Sequence, residues 1–259
     1  MSKAPRMDIS PRVFKVFRRH LTVYRRNWKV SLTFNFIEPL LYLTALGYGL
    51  GVYVQAIEGL TYIQFIAPAL IASSAMFSSS YECTYGTFIR MEFQKTFQAM
   101  VATPVSMDEV ALGEILWGSF KSFLYGSVIL LVILMLGLVA SPWALLVPVV
   151  LLVSGMLFSA MSMIWIGLFS NIDSFNYYFT LIITPLFLFS GVFFPLSGMP
   201  AIVQTLAWAS PLYHVVNLTR SLVLGDVGLH LFWNFLWLVA VAIVLAPVAI
   251  HLMRRLVIK

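Results

Sequence analysis

Residues 122–172 read SFLYGSVILLVILMLGLVASPWALLVPVVLLVSGMLFSAMSMIWIGLFSNI, 51 residues without one Asp, Glu, Lys or Arg. A helix needs roughly 20 apolar residues to cross a bilayer. This run holds two such helices, and Ser141-Pro142-Trp143 marks the break between them. A second charge-free run, Ser174 to Thr219, begins just past Asp173. Helices are the expected spanning element, because backbone polar groups must pair internally in lipid. The period-2 alternation of a membrane barrel is absent.

The rest of the 259-residue chain agrees. It is 61% hydrophobic and 10% charged, with a mean hydropathy of +0.93. A soluble domain carries about 25% charged residues. The composition excludes a soluble enzyme and a disordered protein. The single cysteine, Cys83, excludes a disulfide scaffold and a cysteine-rich metal site. Six spans are expected, at about 31–51, 60–81, 112–139, 143–170, 175–195 and 230–252, in one all-α membrane domain over 1–259.

Charge placement orients them. Of sixteen basic residues, nine lie in residues 1–29, Arg90 and Lys95 follow the second span, and Arg254, Arg255 and Lys259 close the chain. Six spans put these three segments on one side, which the positive-inside rule makes cytoplasmic, with both termini. The basic N-terminal stretch is too long for a cleavable signal peptide, so the first span is expected to be an uncleaved anchor.

Three segments are not spans. Residues 11–29 are expected to form an interfacial helix. Ser10 is its N-cap and Pro11 its first residue. Val13, Phe17, Leu21, Tyr24 and Trp28 form an apolar stripe for the headgroup boundary, and the basic residues face anionic lipid. Residues 84–105 form the longest polar stretch between spans. Phe88, Phe93, Phe97 and Met100 alternate there with Arg90 and Lys95, as in a short amphipathic helix ended by Thr103-Pro104. Its apolar face needs cover from the bundle's own base or from another protein. Residues 192–229 lie outside. Pro195, Pro200 and Pro211 cut them into short helices, Ala201–Ala209 and Tyr213–Leu224, re-entrant in the outer leaflet. A seventh span is the alternative there, disfavoured by Pro211 and Arg220.

Ser106 and Glu109 form a capping box, so the third span should start near Met107 and run to about Val139. Glu114 then sits near the interface and Lys121 deeper, on the same helix face. Lys121 suits either a paired or snorkelled structural lysine or a substrate contact. Glu38, directly before Pro39 in the first span, suits either a functional carboxylate or a partner for a neighbouring helix.

No phosphate-binding G-x-x-x-x-G-K-[ST] is present, and there is no H-E-x-x-H or G-x-S-x-G. His20, His214, His230 and His251 show no ligand spacing. No catalytic residue, metal ligand or cofactor site is expected, and any energy source is another chain.

Several strings carry a resemblance. They are Asn35–Leu43 with Leu46–Gly51, Tyr62–Pro68, Thr96–Ser106, Leu112–Trp117 and Phe189–Leu196. Together they resemble permease subunits of type-2 ABC transporters, in the NodJ-like branch, over roughly residues 12–256. Ala67-Pro68-Ala69 stands where such permeases usually have Ala-Pro-Gly. The resemblance implies six spans, a homodimer or heterodimer, and a separate cytoplasmic ATPase on which ATP and magnesium act. It implies coupling to that ATPase through Phe88, Arg90, Phe93, Phe97 and Met100, with Asp173 as a second contact. It implies a path lined by the second and fifth spans, and an outer gate near Phe193, Phe194 and Pro195. It further implies export of a lipo-oligosaccharide or polysaccharide type of amphipath across the bacterial inner membrane. A multidrug efflux permease is the alternative. A stand-alone channel and a membrane-embedded enzyme are the readings from other classes.

Overall fold

The computed structural model describes residues 9–57 and 59–258, apart from the side chains of residues 30–36 and Glu38. Glu38's candidate role thus lies outside the described residues. Every regular element among the described residues is helical.

The first helix, α1 (Val13–Tyr42), differs from expectation. The interfacial segment and the start of the first span form one helix, bent at Asn27 (φ −122°, ψ 15°). It passes through Pro39 into wider π-type turns over Leu43–Gly49 and a tight turn over Leu50–Val52.

Helix α2 (Tyr62–Tyr81) begins where the Gln64 side chain accepts from the Thr61 N–H at 3.0 Å. It does not stop at residue 81. Two π-type segments, Glu82–Gly86 and Ile89–Phe93, extend it to Phe93. Lys95 then adopts a left-handed conformation (φ 51°), and α3 (Thr96–Val101) follows. The amphipathic helix expected over 88–100 is therefore two pieces, the first a continuation of α2.

Helix α4 (Met107–Met135) starts at the expected capping box. Ser106 Oγ accepts from the Glu109 N–H at 3.1 Å, and the Glu109 carboxylate accepts from the Ser106 N–H at 2.8 Å. The helix ends four residues short of Val139, and the chain turns at Gly137 (φ 70°), a conformation that favours glycine. Ser141-Pro142 opens a tight turn, Pro142–Leu146, into α5 (Val147–Leu168). Then come α6 (Ser174–Tyr178) and α7 (Thr184–Phe189), joined by π-type turns over Phe179–Ile183. The proline-bounded outer segment gives α8 (Ala201–Trp208) and α9 (Pro211–Leu224). Helix α10 (Leu229–Val257) closes the chain.

Among the described residues, four helices are long and apolar enough to cross a membrane: Tyr62–Phe93, Met107–Met135, Pro142–Leu168 and Leu229–Val257. Pro39–Val52 and Ser174–Phe189 are shorter apolar helices, at the places of the first and fifth expected spans. Helix α2 is central, with Ala67, Ala69, Ala72, Ser73, Ala75 and Ser79 all buried. Small side chains let neighbouring helices approach closely, which is how membrane helices gain packing energy. Their hydroxyls stay satisfied within the helix: Ser79 donates to the Ala75 carbonyl at 2.8 Å. Helices α4 and α5 are tied directly, since Ser119 donates to the Leu152 carbonyl (2.7 Å) and Ser122 to that of Leu151 (2.9 Å).

Candidate functional site

A cluster of charged residues gathers where α1, the extended end of α2 and α4 meet. Glu114 of α4 is fully buried. Its carboxylate receives Arg90 at 2.5 Å (Nη2 to Oε2) and 3.3 Å (Nε to Oε1), and the Thr87 hydroxyl at 2.9 Å. His20 Nε2 of α1 lies 3.0 Å from Glu114 Oε1. Arg90 also holds Glu82 at 2.7 Å. Glu82 in turn faces Lys121 Nζ at 3.5 Å.

Lys121 is 8% exposed. Its ammonium sits over the rings of Tyr24 (4.5 Å), Tyr125 (5.3 Å) and Trp117 (5.6 Å), and it donates to the Tyr125 hydroxyl at 3.2 Å. It is thus paired rather than snorkelled. Burying these charges costs several kcal/mol each unless partners satisfy them. Here every charge has an opposite one beside it, and cation–π contacts serve the lysine.

Three of these residues, His20, Glu82 and Thr87, are not legible in the sequence as site residues. His20 falls on the apolar stripe of α1 and Glu82 just past the expected end of the second span. The π-type turns place Glu82, Thr87 and Arg90 together against α4, and no local pattern announces such turns.

The α1 stripe itself has a different partner from the one expected. Val13, Val16 and His20 are buried, and Phe17 meets Trp117 (5.9 Å) and Phe120 (5.6 Å) edge-on. His20 stacks on Trp117 at 5.4 Å. These residues face α4 rather than lipid, whereas Trp28 is exposed. Protein-facing and lipid-facing stripes share one helical period, so sequence does not separate them. A polar cleft of about 190 Å³ remains between α1 and the charge cluster, with Arg19, Asn27 and Gln94 at its walls. Burial lowers the Arg19 pKa, and the nearby Glu114 carboxylate opposes that shift.

The coupling candidates separate by exposure. Phe88 and Phe97 are buried in the bundle's base, Phe88 against Phe175 at 5.3 Å. Arg90 belongs to the charge cluster. Phe93 is 69% exposed, Met100 is half-buried and Asp173 is exposed. The gate candidates Phe193, Phe194 and Pro195 are half-buried just past a turn at Gly191 (φ 77°). Phe193 packs on Phe187 at 4.8 Å.

A ladder of aromatic rings runs between α2 and the helix Ser174–Phe189. Phe77 meets Phe187 (5.2 Å), Tyr81 stacks on Phe179 (4.2 Å), and Tyr85 meets Phe175 (5.1 Å). Its outer edge is open: Tyr81 is 46% exposed and Tyr177 and Leu181 beside it 63% and 65%. Among the described residues, no group of His, Cys, Asp and Glu could hold a metal ion.

The model of the family "ABC-2 type transporter" matches residues 12–224. The chain is 34% identical to "Nodulation protein J" of Sinorhizobium fredii over 220 residues, which is 83% of this chain and 84% of that protein. It is 37% identical to the protein of the same name from Rhizobium leguminosarum bv. trifolii, over 81% of this chain and 80% of that one. It is 24% identical to "Inner membrane transport permease YadH" of Escherichia coli, over 81% of this chain and 82% of that one. With a family model matching most of its length and several relatives above 30% identity, the chain belongs to the ABC-2 type transporter family, as a NodJ-like membrane permease subunit.

Proposed function

We propose that this permease exports an amphipathic, lipid-linked or lipo-oligosaccharide-type substrate outward across the bacterial inner membrane, driven by a separate ATPase. The observation that carries this reading is the aromatic ladder of Phe77, Tyr81, Tyr85, Phe175, Phe179 and Phe187, which reaches the surface of a single chain at its middle rung, Tyr81, beside exposed Tyr177 and Leu181. Aromatic faces take both alkyl chains and the C–H faces of sugars, and tyrosine adds a polar edge. A second copy of the chain facing that side would enclose a path with these walls.

In this arrangement the shorter apolar helices Pro39–Val52 and Ser174–Phe189 complete six spans, and α8 and α9 form the re-entrant outer segment. Both termini are cytoplasmic. The ATPase, with its ATP and magnesium, docks on the end bearing Phe93, Met100 and Asp173. ATP-driven closure of the ATPase pair then shifts the path between inward and outward states, with Phe193, Phe194 and Pro195 as the outer gate.

The test is reconstitution. The chain is co-expressed with an ABC-type ATPase from the same organism, purified and placed in proteoliposomes. ATP-dependent movement of a fluorescent lipo-oligosaccharide is expected, with weaker movement when Tyr81→Ala removes one rung. Full activity of the chain with no ATPase would sink the reading. Transport of hydrophobic dyes without any lipo-oligosaccharide transport would favour the multidrug alternative.

A further inference from the structure

We infer that the polar cleft between α1 and the Glu82–Arg90–Glu114–Lys121 cluster binds the phosphodiester headgroup of an anionic membrane lipid, with Arg19 as its principal anchor. The charges support this first. Within the cluster, Glu82 and Glu114 are answered by Arg90 and Lys121. Arg19 then stands as an additional cation on the cleft wall, and its guanidinium has no carboxylate within ion-pair distance among the described residues. Asn27 and Gln94 add amide donors beside it. A guanidinium with neighbouring amides matches the acceptor oxygens of a phosphodiester.

Depth supports it second, and selects a lipid over a soluble anion. Helix α4 has 29 residues, about 44 Å at 1.5 Å each. That is about 14 Å more than the hydrocarbon core. Its far end exposes Leu131, Leu134 and Met135, so that end belongs in lipid. The excess therefore lies at the Met107 end, about nine residues of it. The hydrocarbon boundary then falls close to Glu114, with Lys121 about 10 Å farther along the helix and inside it. The cleft is lined on this helix by Trp117 and Lys121, and on the α2 extension by Arg90 beside Glu114 and by Gln94 just beyond it, so it spans that boundary and reaches the level of the glycerol and phosphate groups. The bend at Asn27 supports it third. Asn27, where α1 leaves helical geometry, is itself part of the cleft's lining.

The inference rests on the membrane placement and not on the exported substrate, so its failure and that of the transport reading are separable. The test uses the full chain in detergent micelles doped with phosphatidylglycerol or phosphatidylcholine, with bound lipid counted by native mass spectrometry. Wild type should retain one phosphatidylglycerol in preference to phosphatidylcholine. Arg19→Gln should lower that retention at least about fivefold, the factor expected for one cation at a lipid surface. Arg19→Lys should restore most of it, and Asn27→Asp should weaken it by adding a repelling charge. Arg25→Gln, on an exposed residue outside the cleft lining, should lower it far less than Arg19→Gln does. Equal losses for Arg19→Gln and Arg25→Gln would show diffuse attraction and overturn the site. So would equal retention of phosphatidylcholine, or displacement of the lipid by inorganic phosphate alone. Thermal unfolding of each variant shows whether a loss of lipid reflects a loss of fold.

Discussion

Arg90 and Glu114 meet at 2.5 Å across the packing of the α2 extension on α4, and Glu114 is fully buried while Arg90 is 14% exposed. Glu114 has no water to fall back on, and Arg90 has only the cleft it lines. Removing one partner leaves the other's charge stranded, which typically costs about 3–5 kcal/mol. Glu114→Gln or Arg90→Met alone should therefore sharply lower the yield and melting temperature of the purified protein. The double variant Arg90→Met with Glu114→Leu should recover much of the loss, because an apolar pair can replace a buried ion pair. Fluorescence-detected size exclusion across a temperature series measures both. A double variant no better than either single one would show that the pair's partners, His20 and Glu82, dominate.

Glu109 joins two distant parts of the chain. Its carboxylate caps α4 through the Ser106 N–H and also accepts from the Ser10 N–H (3.0 Å) and the Ser10 hydroxyl. Glu109→Ala should lose a helix cap, about 1 kcal/mol, and also free the start of α1. Trypsin should then cut at Arg12 and Lys15 faster than in the wild type, with cleavage elsewhere unchanged. An unaltered digestion pattern would place the anchoring of α1 in its contacts with Trp117 and Phe120 instead.

Gly155 of α5 separates intrinsic helix preference from packing. Alanine is the better helix former by about 1 kcal/mol. A Cβ at this position, however, would lie 2.7 Å from the Ser119 backbone and 2.5 Å from Ser122 Cβ. Backbone does not step aside as a flexible side chain does. Gly155→Ala should push α4 from α5, strain the bonds from Ser119 and Ser122 to α5 carbonyls, and destabilise by about 1–3 kcal/mol. Gly198→Ala, with open space around it, should leave the melting temperature where it was. A stabilised Gly155→Ala would refute the close crossing.

What sequence could disclose here was local. The Ser106–Glu109 capping box, the break at Ser141-Pro142 and the short helices bounded by Pro200 and Pro211 all rest on a few adjacent residues, and each stands where it was read. The charge cluster is different. Glu114 and Lys121 were conspicuous as ionisable residues in an apolar helix, but their partners come from α1 and from beyond the expected end of α2. His20 reads as one member of an apolar stripe, and Glu82 as the first polar residue after a span. Only the π-type turns and the bend at Asn27, which no short motif encodes, bring them together. The same limit applies to residues 88–100, whose apolar side chains divide between the bundle's base and the surface by tertiary packing alone.

That division yields a direct test of ATPase docking. Cys83 is fully buried and is the only cysteine, so the folded wild type should resist a membrane-impermeant maleimide and react only after denaturation. Phe93 is 69% exposed and Phe97 fully buried. Phe93→Cys should react readily on inside-out vesicles, while Phe97→Cys should stay unreactive or fail to accumulate, because it opens a cavity in the base. Asp173→Cys, on the other exposed candidate, should react as Phe93→Cys does. Co-expression of the ATPase should then slow labelling at both positions 93 and 173, while a cysteine placed at exposed Trp143, labelled from the opposite side on right-side-out vesicles, should react as before. Protection at 93 alone would make the residue 173 turn a free loop. Undiminished labelling at both, with the ATPase demonstrably bound, would move the coupling surface elsewhere on the chain.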